Sequence, residues 1–183
     1  MSRGKPMPDI IELRVMIAEA VFNSTSADLV EGELVSRLEE AVRAYPYSAT
    51  LYCLLGDLIQ IGGSTEMCGG DAGKCYEQAI VLDPLCVEAY ESLGYWKYTL
   101  DKPDAAVWFE KALQLENHRI NSLLGLARVC ADHGDLLNAQ HFCDEARSAS
   151  ARVVKSIEEC DAELDGLRKA GKSKASGTES GTS

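Results

Sequence analysis

The side chains of this sequence most capable of chemistry are its thiols and imidazoles. There are seven cysteines, Cys53, Cys68, Cys75, Cys86, Cys130, Cys143 and Cys160, and three histidines, His118, His133 and His141. Zinc sites need such ligands in closely spaced pairs. No pair of that kind occurs, since Cys68 and Cys75 have six residues between them and the histidines show no paired spacing. Cys53, Cys68 and Cys75 could approach one another around the loop 61–73. The segment Gly69–Cys75, GGDAGKC, approaches a phosphate-binding loop. That motif places four residues between its first glycine and the Gly-Lys pair, with a hydroxyl residue next. Here three residues intervene and Cys75 stands where the hydroxyl should be. A small metal or nucleotide protein using the 68–75 loop is therefore an alternative reading, against the expectation of no catalytic residue, no cofactor and no metal. No nucleophile-elbow sequence is present. The acidic run Glu158, Glu159, Asp161, Glu163 and Asp165 reads as a solvated helix face, because calcium needs oxygens converging from a tight loop.

Composition narrows the function classes further. Of the 183 residues, 46% are apolar and 26% charged, enough for a packed core over most of the length. Eighteen Lys and Arg against 29 Asp and Glu leave a net charge of -11. Such a chain repels phosphate backbones, so no nucleic-acid partner is expected. No apolar stretch approaches the roughly 18 residues that cross a bilayer, so no membrane insertion is expected either. Asp9, Glu12, Arg14 and Glu19 interrupt the first helical stretch, which does not read as a secretory signal. Scattered, odd-numbered cysteines then read as free thiols in a reducing compartment, and the expected location is cytoplasmic.

The elements that would position any site emerge from internal repetition. Leu55-Gly56 recurs as Leu93-Gly94 and again as Leu126-Ala127, preceded three residues earlier by Tyr52, Tyr90 and Leu123. Two alanines seven apart follow each copy: Ala72 and Ala79, Ala105 and Ala112, Ala139 and Ala146. Three residues before each second alanine stands Tyr76, Phe109 or Cys143, and five after it Pro84, Asn117 or Ala151. Upstream, Leu38, Ala41 and Pro46 fall in the same register, with Leu34 where the first alanine would be. With these residues the chain resembles the tetratricopeptide-repeat family, over about Ser48 to Ala151.

The resemblance implies an all-α fold, a right-handed superhelix of antiparallel helix pairs with a C-terminal capping helix. Small residues at Gly56, Gly94 and Ala127 would face Ala72, Ala105 and Ala139 where two helices of a pair meet. The second alanines would pack each pair on the next, since no pair buries enough apolar area alone. The expected organisation is a flexible segment 1–7, a degenerate helical hairpin 8–46, and repeats 48–86 (with a loop insertion), 87–119 and 120–151. A capping helix 152–170, with Val153, Val154, Ile157, Cys160, Leu164 and Leu167 on one face, and a disordered tail 171–183 follow. Ser48, Asp71, Asp83, Asp101 and Asp135 are placed to cap helices, and Pro84 to open one.

The resemblance also implies where binding occurs, on a concave groove lined by the first helix of each pair. Carried onto this sequence, the groove positions are Thr50, Cys53, Asp57 and Gln60, then Glu88, Glu91, Tyr95 and Tyr98, then Asn121, Leu124, Arg128 and Ala131. Some relatives clamp the acidic C-termini of heat-shock chaperones with Lys, Asn and Arg at such positions. Here an Asp and two Glu occupy the groove, with Arg128 as its cation, so an apolar or basic extended segment of another protein is the expected partner. Tyr95 and Tyr98 would supply apolar area with a polar tip, Glu88 and Glu91 would select positive charge, and Arg128 would hold a carbonyl or carboxylate. The expected function is non-catalytic protein–protein interaction, as a module or scaffold. Narrower alternatives are a chaperone for a secreted or aggregation-prone partner and a self-association module.

Overall fold

The computed structural model describes residues 9–22 and 27–176, with side-chain detail for 9–19, 32–160 and 162. Residues 1–8, which include all of the expected flexible N-terminus 1–7, and 177–183 of the expected tail lie outside the described residues. Among the described residues eight α-helices run in order: α1 Ile10–Phe22, α2 Ala27–Ala44, α3 Ala49–Gln60, α4 Ala72–Leu82, α5 Val87–Thr99, α6 Ala105–Leu115, α7 Ile120–Asp132 and α8 Leu136–Ser176. No strand occurs among the described residues. Each odd helix packs on the even helix that follows it, and each pair stacks on the next. The fold is the expected all-α solenoid of helix pairs.

The repeated small residues act by admitting aromatic rings. A methyl group on Gly56 would sit 2.5 Å from Tyr76 Cε1, and one on Gly94 would sit 2.8 Å from Phe109 Cδ1. Tyr76 and Phe109 are wholly buried, and so are Leu55 and Leu93 beside those glycines. Helix glycine costs about 1 kcal/mol relative to alanine, which burial of a ring outweighs, at roughly 1.5–3 kcal/mol for a large apolar side chain. Gly125, outside the repeat pattern, does the same from α7, where a methyl would lie 2.5 Å from Phe109 Cε1. Ala79 packs with Ala49, Cys53 and Ala89, at the seam between α3 of its own pair and α5 of the next.

Capping follows the expectation at some turns and departs at others. Asp71 accepts the amides of Gly73 and Lys74 at the start of α4, and Asp135 accepts the Asn138 amide at the start of α8. Ser48 holds the N-cap position of α3 without a side-chain capping bond. Asp101 does not cap; it takes the left-handed conformation (φ 53) that turns the chain, and Asp104 precedes α6. Pro84 does not open a helix. It lies in the turn between α4 and α5, where its fixed φ suits the bend, and Asp83 holds that turn by accepting the Leu85 amide.

The insertion after α3 docks rather than dangles. Thr65 Oγ1 donates to Glu39 Oε1 on α2 at 2.6 Å, and Met67 and Cys68 pack against the core of the first hairpin. At the other end, α8 runs unbroken through 41 residues, about 60 Å at 1.5 Å per residue. Its first turns close the array with buried Ala139, Ala146 and Ala149. Residues 152–160 of the expected capping helix are exposed, and the helix continues through 171–176, which composition alone assigns to the tail.

Candidate partner-binding face

The two layers of the solenoid are not equivalent. The odd-numbered helices touch one another directly, α1 with α3, α3 with α5 and α5 with α7, whereas the even-numbered helices make at most marginal mutual contact. The odd layer is therefore the inner, tighter arc. A cleft of about 310 Å³ opens on it, with walls from all four odd helices and the turn before α7.

Five of the twelve sequence-predicted positions meet in this cleft: Cys53, Asp57, Glu88, Glu91 and Asn121. Their chemistry is set by partners that the groove pattern does not include. Arg14 on α1 reaches over α3 to pair with Glu88 at 2.5 Å. Arg119, just before α7, meets Glu91 with Nε at 3.0 Å and Nη2 at 3.3 Å. Ser122 Oγ and Asn121 Nδ2 also donate to Glu91, which is 7% exposed. Glu91 thus holds α7 against α5, a structural use, where a charge selector was expected. Arg14 and Arg119 also end the reading of Arg128 as the groove's cation.

Asp57 has a different setting. Its Oδ1 accepts the Tyr76 hydroxyl at 2.9 Å and the Ser92 hydroxyl at 3.5 Å, and Gln60 donates to the same Tyr76 hydroxyl. Burial raises its pKa above the ordinary aspartate value, partly offset by the Tyr76 hydrogen bond. Arg14 acts on it only through its field. Among the cleft's three carboxylates, Glu88 and Glu91 each accept from a guanidinium, whereas Asp57 accepts from the hydroxyls of Tyr76 and Ser92.

The remaining predicted positions lie on α3, α5 and α7 outside the cleft's lining. Thr50 and Leu124 are half-buried. The Tyr95 ring stands edge-on to Phe109 with centroids 4.9 Å apart, and its hydroxyl donates to the Asn121 carbonyl at 2.7 Å. Tyr98 donates to Asp132 Oδ2 at 2.7 Å, bridging α5 to α7. Arg128 and Ala131 are exposed, and the Arg128 guanidinium stands 5.8 Å from the Tyr95 ring centre.

The loop that approached a phosphate motif has another job. The amides of Gly73 and Lys74, which would bind an anion, already bond to Asp71, and Gly69 and Gly70 carry positive φ in the turn before it. Cys53 lies against Cys86, with sulfurs 3.8 Å apart, while Cys75 has Cys68 as its thiol partner. No group of three metal-ligating side chains is placed to share an ion among the described residues. No helix among them is long and apolar enough to cross a membrane.

Solved structures share this arrangement. The crystal structure of MamA matches with a TM-score of 0.58 at 17% identity, over 78% of this chain and 81% of that one. A second MamA crystal structure matches at 0.56 and 17%, over 78% and 75%. MamA MSR-1 C2 matches at 0.54 and 18%, over 80% and 79%. No protein-family model and no curated protein sequence matches the chain. MamA is itself a tetratricopeptide-repeat protein, and identities this low speak to fold alone. Periodic glycines that seat aromatic rings, a tight inner arc of odd helices and the likeness to MamA agree that this chain has the tetratricopeptide-repeat fold.

Proposed function

We propose that the protein is a non-catalytic interaction module that seats an extended segment of another protein on its inner arc. The observation that carries this reading is the cleft built jointly by α1, α3, α5 and α7, since a site drawn from four helices is fixed by the stacking of the whole array. Two of its carboxylates are neutralised by Arg14 and Arg119. Asp57 is the carboxylate left to meet a partner's amide or ammonium group. Tyr98, Leu124 and Arg128 on α5 and α7 offer mixed apolar and polar contact. An apolar segment with a basic residue fits this surface better than an acidic tail, which would face a chain of net charge -11.

Affinity capture from a lysate tests the reading, with the wild-type chain beside an Asp57→Asn, Tyr98→Ala, Arg128→Ala variant. Tyr95 is left in place because its ring packs on Phe109. Partners recovered by the wild type should be lost from the variant while its helical circular dichroism is unchanged. Equal recovery would move the binding surface off the inner arc.

A narrower form, a chaperone for an aggregation-prone partner, draws on the exposed apolar strip Val153, Val154 and Ile157 of α8. It expects a chain cut after Ala151 to lose suppression of a client's aggregation. Unchanged suppression would leave the inner arc alone in play.

A further inference from the structure

We propose that Cys53 and Cys86 are a peroxide-responsive thiol pair that closes to an intramolecular disulfide between α3 and the start of α5. Their sulfurs lie 3.8 Å apart although the residues are 33 apart in sequence. Both pack in one small cluster with Ala49, Ala79 and Ala89, so the two helices are held together whether or not the bond forms. Side-chain rotation must bring the sulfurs to the bonded distance of about 2.05 Å.

The two thiols have different settings. Cys53 is in the body of α3 and 2% exposed. Cys86 occupies the N-cap of α5 and is half-buried, so a small oxidant reaches it first. The positive end of a helix favours a thiolate at that position. The hydrogen bond from Cys53, aided by the Ala89 amide, brings the Cys86 thiol down to about 7 against burial and the charges of Glu88 and Asp83. The same contact and its own burial push Cys53 up. This is the division between an attacking and a resolving cysteine.

The chemistry balances with hydrogen peroxide as oxidant. The Cys86 thiolate attacks one peroxide oxygen and the O–O bond breaks. Cys86 becomes a sulfenic acid, and the departing hydroxide takes a proton to leave as water. The Cys53 sulfur then attacks the sulfenic sulfur and the S–O bond breaks. The Cys53 proton goes to the leaving hydroxide, giving a second water. Two thiols lose two electrons in all, and the peroxide gains them. Because Cys53 lines the inner cleft, the bond would tie α3 to α5 at the wall of that cleft.

The test is intact-mass spectrometry and non-reducing peptide mapping of the full chain after brief treatment with hydrogen peroxide. The proposal expects a loss of two hydrogens, a linked peptide joining Cys53 to Cys86, and reversal by dithiothreitol. A Cys68→Ser, Cys75→Ser variant should still form the link. A Cys53→Ser variant should stop at a Cys86 sulfenic acid that dimedone traps. Linkage of Cys68 to Cys75 in place of this pair would overturn the proposal, as would Cys86 carrying two or three added oxygens while Cys53 stays a free thiol.

Discussion

Arg119 and Glu91 lock α7 onto α5: the guanidinium gives Nε and Nη2 to the two carboxylate oxygens at 3.0 and 3.3 Å. Glu91 also accepts Ser122 Oγ at 3.0 Å, so its removal strands several donors at once. Breaking a buried pair from one side costs about 3–5 kcal/mol. Arg119 retains 26% side-chain exposure, so Glu91→Ala should cost less, about 2 kcal/mol. The neighbouring Glu116 pairs with the same arginine but is 53% exposed, and Glu116→Ala should cost less than about 1 kcal/mol. Urea denaturation midpoints measure both. Equal effects would show that the buried pair does not hold the two helices.

The glycine contacts give a second contrast. Phe109 is pinched between Gly94 on α5 and Gly125 on α7, so a methyl group at Gly125 must displace a ring that is wholly buried. Gly125→Ala should destabilise by about 1–3 kcal/mol, the usual cost of overpacking. A methyl at Gly32 on α2 meets nothing within 4 Å, and Gly32→Ala should stabilise by about 0.5–1 kcal/mol. Thermal unfolding of the two variants should shift in opposite directions.

Asp57 makes the fold's stability depend on pH in a defined sense. Its pKa is raised chiefly by burial, so the native chain keeps this proton at a pH where the unfolded chain, near the ordinary value of about 3.9, has released it. Its contribution is therefore fully present below the unfolded pKa and lost as pH rises through the folded one. Asn can accept the Tyr76 and Ser92 hydroxyls without a charge. Asp57→Asn should stabilise the chain at neutral pH relative to wild type, with the difference vanishing in acid. A difference independent of pH would contradict this account of the site.

Much of this architecture is legible in the sequence because its signal is steric and periodic. A pair of alanines seven apart, returning after 33 and then 34 residues, has few structural explanations besides stacked helix pairs. The chemistry of the cleft is less legible. Arg14 belongs to α1, part of the hairpin whose repeat pattern is degenerate, and Arg119 stands one residue before α7, outside the groove register. Neither carries a spacing signal, yet they pair with Glu88 at the cleft's surface and with buried Glu91. Cys86 was visible only as one of seven thiols, because its closeness to Cys53 arises from stacking between pairs. The length of α8 follows from an absence, since no proline occurs between Asp135 and Ala170, and that absence does not say whether the helix bends.

The proposed interaction places the partner on the inner arc. Site-specific photo-crosslinking tests it most directly, with a benzophenone side chain placed at Thr50 or Tyr98 on that arc, or at Val81 or Val107 on the even-numbered helices, where both valines are exposed. The account predicts crosslinked partner from Thr50 and Tyr98 and none from Val81 or Val107. Crosslinks from the even-numbered helices alone would contradict it.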